Sequence, residues 1–240
     1  TAFIGDKLVF KDDGPTLTLV TPLEALTVDE SNLAQNASVD ITSLFNIQFG
    51  ADGPLQISFN NSTPAKVFSL AVKSNILTET NLFDVASGQS IKLFQVDAHT
   101  IVGKIGVPNA PIFTITIDDN GVLTLDQHSA VKHPTTNPDE PVTMGLADLV
   151  TVTFTIRDGD KDLDSETLEI GDKFVFKDDG PSNSANNVSG VGIILDESNG
   201  TGSGNDSVNP GIIAAATVQS LFNASTFGND GAGAVSYKLQ

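Results

Sequence analysis

Apolar and polar residues alternate along most of this chain with a period of two. Leu149 to Ile156 reads Leu-Val-Thr-Val-Thr-Phe-Thr-Ile, which sets Val150, Val152, Phe154 and Ile156 on one face and Thr151, Thr153 and Thr155 on the other. Ile112 to Ile117 alternates in the same way, with Phe113, Ile115 and Ile117 opposite Ile112, Thr114 and Thr116. Such a period marks a strand with one buried face. Asp118-Asp119-Asn120-Gly121 separates 112–117 from the run Val122–Leu125. Asn-Gly between alternating runs predicts a hairpin, because both residues tolerate positive φ. Further strands are predicted at 6–10, 16–20, 38–45, 55–60, 66–73, 90–96, 100–106, 166–170, 173–177, 191–195 and 234–239. No segment carries a helical stripe over a dozen residues, although Ser43–Phe45 and Ser220–Phe222 suit short helical turns. Loops are expected at 133–144, which holds three prolines, and in the polar stretches 182–190 and 199–210. Short strands punctuated by turns predict an all-β chain of tandem Ig-like β-sandwich modules.

The pattern also repeats over a long interval. Residues 4–15 read IGDKLVFKDDGP and residues 170–181 read IGDKFVFKDDGP, identical at eleven of twelve positions with an offset of 166 residues. VDES at 28–31 returns as LDES at 195–198, SLFN at 43–46 returns at 220–223, and FGADG at 49–53 returns as FGNDG at 227–231. A fixed internal period marks an array of modules. The expected organisation is the tail of one repeat at 1–13, a complete sandwich repeat at 14–180, and a linker with the opening strands of the next repeat at 181–240, as if taken from a longer array. An ordinary sandwich needs about 100 residues. A repeat of this length is therefore either one enlarged sandwich or two small ones.

Composition narrows the function classes. The chain of 240 residues has fourteen phenylalanines, one tyrosine, one methionine, and no tryptophan or cysteine. Disulfides therefore do not staple it. Its net charge of −18 repels nucleic-acid phosphate and anionic lipid, and it favours cations as partners. No run approaches a membrane-spanning length, and the opening residues do not read as a signal peptide, which a piece of a longer array would not carry in any case.

The acids are clustered. Asp158, Asp160, Asp162 and Asp164 stand at alternate positions between two predicted strands. Calcium takes about six to eight oxygens at about 2.3–2.6 Å, which acids on a curved loop can supply. An EF-hand is rejected, because Leu163 stands where its glycine is needed and Glu169 falls in a strand pattern rather than a helix. Asp12-Asp13 and Asp178-Asp179 each precede Gly-Pro. Adjacent carboxylates repel unless a cation neutralises them, and a rigid turn at a module boundary suggests a calcium clamp there. Asp29-Glu30 and Asp196-Glu197 open the modules and are the expected partners. Asp118 and Asp119 suit the hairpin turn, and Asp52 and Asp230 precede glycines in turns. Residues 201–208 match most of a calcium-binding nonapeptide, but a single copy cannot stack into a roll.

Catalysis finds little support. His99, His128 and His133 are isolated, and no G-x-S-x-G elbow occurs. Carboxylates spread over many turns read as ion ligands rather than as a tuned acid/base pair. The chain is therefore expected not to be an enzyme.

Asp29-Glu30-Ser31, the strand–RDGDKDLDS–strand unit at 149–170 and the closing GDKFVFKDDGP together resemble the tandem repeats of giant bacterial RTX adhesins exported by type I secretion. Lys161 stands where such repeats usually have a second loop glycine. The resemblance implies a secreted, cell-surface, biofilm-associated stalk of β-sandwich extenders, with calcium at the boundaries stiffening the rod. It also implies a chain that crosses its secretion channel unfolded and folds in extracellular calcium. The expected partners are neighbouring repeats of the same chain, with a monomeric protein, no nucleic acid and no membrane insertion. A second reading is an adhesion module that itself binds a glycan, a protein or ice, for which Thr151, Thr153 and Thr155 give only a short row.

Overall fold

The computed structural model describes residues 5, 8–58, 62–74, 78–106, 110–186, 218–223 and 225–238. The expected strand 191–195, the loop 199–210, the nonapeptide at 201–208 and the acids Asp196 and Glu197 lie outside the described residues. The fold is all-β and sandwich-like, with short 3-10 turns and strands in several sheets.

The largest sheet has six antiparallel strands. In spatial order they are β3 (Ala37–Asp40), β10 (Val122–Gln127), β9 (Phe113–Ile117), β8 (Thr100–Lys104), β7 (Ser90–Asp97) and β6 (Thr78–Phe83). β9 and β10 form the expected hairpin, in which Asp118 accepts hydrogen bonds from the Asn120 and Val122 amides at 2.9 and 2.8 Å. A second sheet sets β12 (Val150–Arg157) between β13 (Leu163–Glu169) and β5 (Lys66–Val72). A third sets β14 (Phe174–Lys177) between β11 (Pro141–Thr143) and β2 (Leu26–Asp29). β1 (Thr16–Leu19) pairs with β4 (Phe45–Gln48).

The alternation decides the packing. Val150, Val152, Phe154 and Ile156 of β12 all face inward and are buried. Phe154 stacks on Phe68 of β5 at 4.5 Å and meets Phe45 of β4 edge-on at 5.4 Å. Phe113 of the large sheet lies 5.0 Å from Phe176 of β14, so the layers close on one another. A single cluster of buried apolar residues runs from Leu17 to Phe176, so this stretch has one enlarged core. Burial of this apolar surface is the dominant favourable contribution to such a fold, and the ring pairs add to it.

Several elements differ from the pattern reading. The expected strand 38–45 is split by a 3-10 turn at Ile41–Leu44, capped by Asp40, whose side chain accepts from the Thr42 amide at 2.9 Å. Ile41, Leu44 and Phe45 are all buried, and strict alternation cannot place all three inward. Of 55–60, residues 55–58 lie in no extended strand: Ser58 makes an isolated bridge, and the preceding Pro54 bridges to Asp158. The expected long loop 133–144 contains the short strand β11. Residues 8–10 and 234–238 form no strand. Leu8, Val9 and Phe10 are exposed, whereas their repeat equivalents Phe174, Val175 and Phe176 make up β14, with both phenylalanines buried. The difference is one of partners: β14 lies between β2 and β11, and residues 8–10 have no such neighbours among the described residues.

Candidate metal centres at the two ends of the sandwich

Two groups of carboxylates converge among the described residues. The first is built on the β12–β13 connection. Asp158 is fully buried, and its Oδ1 accepts a hydrogen bond from the Asp162 amide at 2.8 Å, which curls the loop. Lys161 takes φ +88 to complete the turn. Asp158, Asp160 and Asp162 bring ligand oxygens within 4.8 Å of one another, and Asp160 forms a second such group with Asp12 and Asp52. The 49–53 turn reaches this loop because Pro54 bridges to Asp158 and the Leu55 amide donates to the Arg157 carbonyl at 3.0 Å.

Electrostatics at this cluster are unfavourable without a counter-charge. The Asp160 carboxylate, burial and then Asp12 push Asp162 above the ordinary carboxylate range. Burial, with Asp160, Asp12 and Asp13 beside it, does the same to Asp52. Asp158 is raised by burial and by Asp160, against the hydrogen bond from the Asp162 amide. Oδ2 of Asp158 is buried with no hydrogen-bond partner among the described residues. Buried polar atoms are rarely left unpaired, and a cation would relieve both conditions.

The second group forms because β2 and β14 pair in parallel, Leu26 with Phe174 through Asp29 with Lys177. Parallel pairing puts the ends of both strands at one edge, so the residues that follow, Glu30 and Asp178, become neighbours. Glu30 is fully buried. Its Oε1 accepts from Gln127 Nε2 at 2.7 Å and from the Val131 amide at 2.8 Å, with His133 Nε2 at 3.5 Å. Glu30, His133 and Asp178 offer ligand atoms within 4.8 Å of one another, as do Glu30, Asp178, Asp179 and Asp230. Burial and the charges of Glu30, Asp178 and Asp179 raise Asp230, against His133. Burial disfavours the charged ring of His133, but Glu30, Asp178 and Asp230 outweigh it and hold its pKa above the ordinary imidazole value.

The two ends are built alike. Asp13 Oδ2 accepts from the Ala51 amide at 2.9 Å, and Asp179 accepts from the Asn229 amide at 3.0 and 2.8 Å. Gly50 at φ +70 and Gly228 at φ +71 make this close approach possible: a Cβ would lie 2.9 Å from the Asp13 carbonyl in one and 2.6 Å from the Asp179 carbonyl in the other. Thr16 pairs with Gln48 and Leu19 with Phe45 after the first DDGP; Ser182 pairs with Thr226 and Ala185 with Phe222 after the second.

The sequence-predicted acids thus divide. Asp12, Asp158, Asp160 and Asp162 gather at one end, and Glu30, Asp178 and Asp179 at the other. Asp13 is hydrogen-bonded to the neighbouring turn. Asp29 is held by Ser31, whose hydroxyl and amide donate to its Oδ1 and lower its pKa. Asp164 lies in β13, with Oδ2 accepting from the Leu17 amide at 2.7 Å and Oδ1 from the Ser165 amide at 2.9 Å. Asp52 and Asp230, read from sequence as turn residues, belong to the clusters, and their recurrence in FG-x-D-G is the signal that marks them. His133 and Gln127 carry no signal in the sequence, since only the tertiary pairing brings them to Glu30. The outward threonines of β12 bond across to β13, Thr153 to Thr167 and Thr155 to Ser165, each at 2.9 Å.

Residues 25–171 match the family described as a domain of unknown function (DUF5801). The chain belongs to that family. The matched DUF5801 region contains Glu30, Asp52, His133 and the 158–164 loop, whereas both DDGP motifs lie outside it. No curated protein and no solved structure matches the chain.

Proposed function

We propose that this DUF5801 module is a non-catalytic spacer in a repeated, secreted bacterial surface adhesin, and that divalent cations at its junctions stiffen the rod. The observation that carries this reading is the recurrence of one docking geometry at both ends: a DDGP aspartate accepts from the amide of the third residue of an FG-x-D-G turn, with further carboxylates gathered beside it. Calcium suits the first cluster. Asp12, Asp52, Asp158, Asp160 and Asp162 form an all-oxygen donor set on a curved loop and a turn, which is the coordination a hard cation takes. Filling such a site adds its binding free energy to folding. Extracellular calcium modules bind at about 10⁻⁴–10⁻³ M, a range in which the chain stays loose during export and tightens outside. Neighbouring repeats are its partners, and the distal ligand is held elsewhere in the full protein. The test compares melting and small-angle X-ray scattering in calcium and in chelator. Calcium should raise the melting temperature and narrow the range of module orientations; an unchanged profile in both measurements removes the reading.

A further inference from the structure

The two clusters differ in chemistry. The first presents carboxylates only, whereas the second contains an imidazole. At the second, Glu30 Oε2, Asp178 Oδ1 and His133 Nδ1 are buried with no hydrogen-bond partner among the described residues, as is Oε1 of the neighbouring Gln127. The first three residues are shielded from solvent, with the side chains of His133 and Glu30 only 2% and 0% exposed and Asp178 8% exposed. Glu30 is fixed in place: Gln127 and the Val131 amide hold Oε1, and Asn229 Nδ2 donates to the Glu30 carbonyl. That last contact also anchors the turn that carries Asp230.

We propose that Glu30, His133 and Asp178, with Asp230 as a fourth donor, form a binding site for a first-row transition-metal dication of the zinc class. Zinc takes four ligands from imidazole nitrogen, carboxylate and thiolate, whereas calcium takes oxygen almost exclusively. One nitrogen and three carboxylates make a set that the former can satisfy with four protein donors. Gln127 and the Val131 amide orient the Glu30 carboxylate as outer-shell partners do in established metal sites. This goes beyond the spacer reading, because its occupancy can be measured without reference to rod stiffness.

The test strips the protein with chelator and titrates cobalt(II), then zinc, in millimolar calcium. One equivalent of cobalt should bind with a visible ligand-field band, and zinc should abolish that band. His133→Gln should weaken zinc binding by about 10-fold or more, whereas Asp160→Asn should leave zinc binding unchanged and weaken calcium binding instead. Ring-nitrogen NMR of the unmodified protein provides a readout independent of variant folding. Zinc should shift the His133 signals and spare those of His99 and His128. The proposal is overturned if calcium displaces zinc, if His133→Gln binds zinc as the parent does, or if zinc moves only His99 or His128. Each of these outcomes leaves the calcium response of the first cluster to be judged separately.

Discussion

Lys177 of β14 lies in register with Asp29 of β2, and the pairing is parallel. Two motifs that repeat in the sequence, VDES and FKDDGP, are thereby brought side by side although about 150 residues separate them along the chain. Asp29 then caps its own turn, and the next residue, Glu30, is delivered to Asp178. The cluster at this end is a product of strand register, and changes that disturb the register should disturb the cluster.

Charge repulsion at the first cluster gives a prediction with a definite sign. The pKa of Asp162 is raised in the folded protein, chiefly by Asp160. A raised carboxylate contributes stability below its unfolded pKa of about 4 and loses it as pH rises through the folded value. Asp162→Asn should therefore stabilise the ion-free protein at neutral pH and have no such effect in acid below that range. In excess calcium the same change should destabilise. Thermal melts across pH with and without chelator check this; destabilisation by Asp162→Asn in chelator at neutral pH would refute the account.

Asp158 has a second duty. Its Oδ1 holds the loop through the Asp162 amide, and its Oδ2 is buried without a partner among the described residues. Asp158→Asn should lower calcium affinity by about 10-fold or more, read by calorimetric titration. The melting temperature in chelator should change far less than the melting temperature in calcium.

The docking of DDGP depends on two glycines. Gly228→Ala would place a Cβ 2.6 Å from the Asp179 carbonyl at φ +71, and Gly50→Ala would place one 2.9 Å from the Asp13 carbonyl. The left-handed backbone alone costs a non-glycine residue about 1–2 kcal/mol. Gly228→Ala should free the segment after Gly180, so that limited proteolysis cuts there sooner while the main melting transition stays in place.

In the core, Phe154 is 1% exposed and contacts both Phe68 and Phe45. Phe154→Ala should cost about 3–5 kcal/mol, measured as a lower urea midpoint. A cost below that range would mean that the enlarged sandwich can collapse around the cavity.

Strands with an apolar inner face are legible in the sequence alone. β12 and β9 follow their alternation residue by residue, and the Asn120-Gly121 turn joins β9 to β10 as expected. β6 is hidden because its inner face is partly polar: Thr78, Thr80 and Leu82 are buried, and Phe83 points outward at 43% exposure. Thr80 is tolerated inside because its hydroxyl donates to the Ile91 carbonyl at 2.6 Å. β2 and β11 are too short to carry a period and acquire strand geometry from β14 between them. In the first cluster Asp158, Asp160 and Asp162 are visible as a run and Asp12 as part of a repeated pair, whereas Asp52 reads only as a turn residue. The second cluster is only half visible, since Glu30 and Asp178 stand out while His133 and Gln127 are placed by the fold.

If the module works as a spacer under tension, the β2–β14 pairing sets how it would carry load. Tension that enters ahead of β2 and leaves after β14 drags the two strands in opposite directions along a shared row of bonds, from Leu26–Phe174 to Asp29–Lys177. A row loaded in shear must give way as a unit, whereas a row loaded at one end unzips bond by bond. Under such tension the strand that closes the sandwich would also be its clasp.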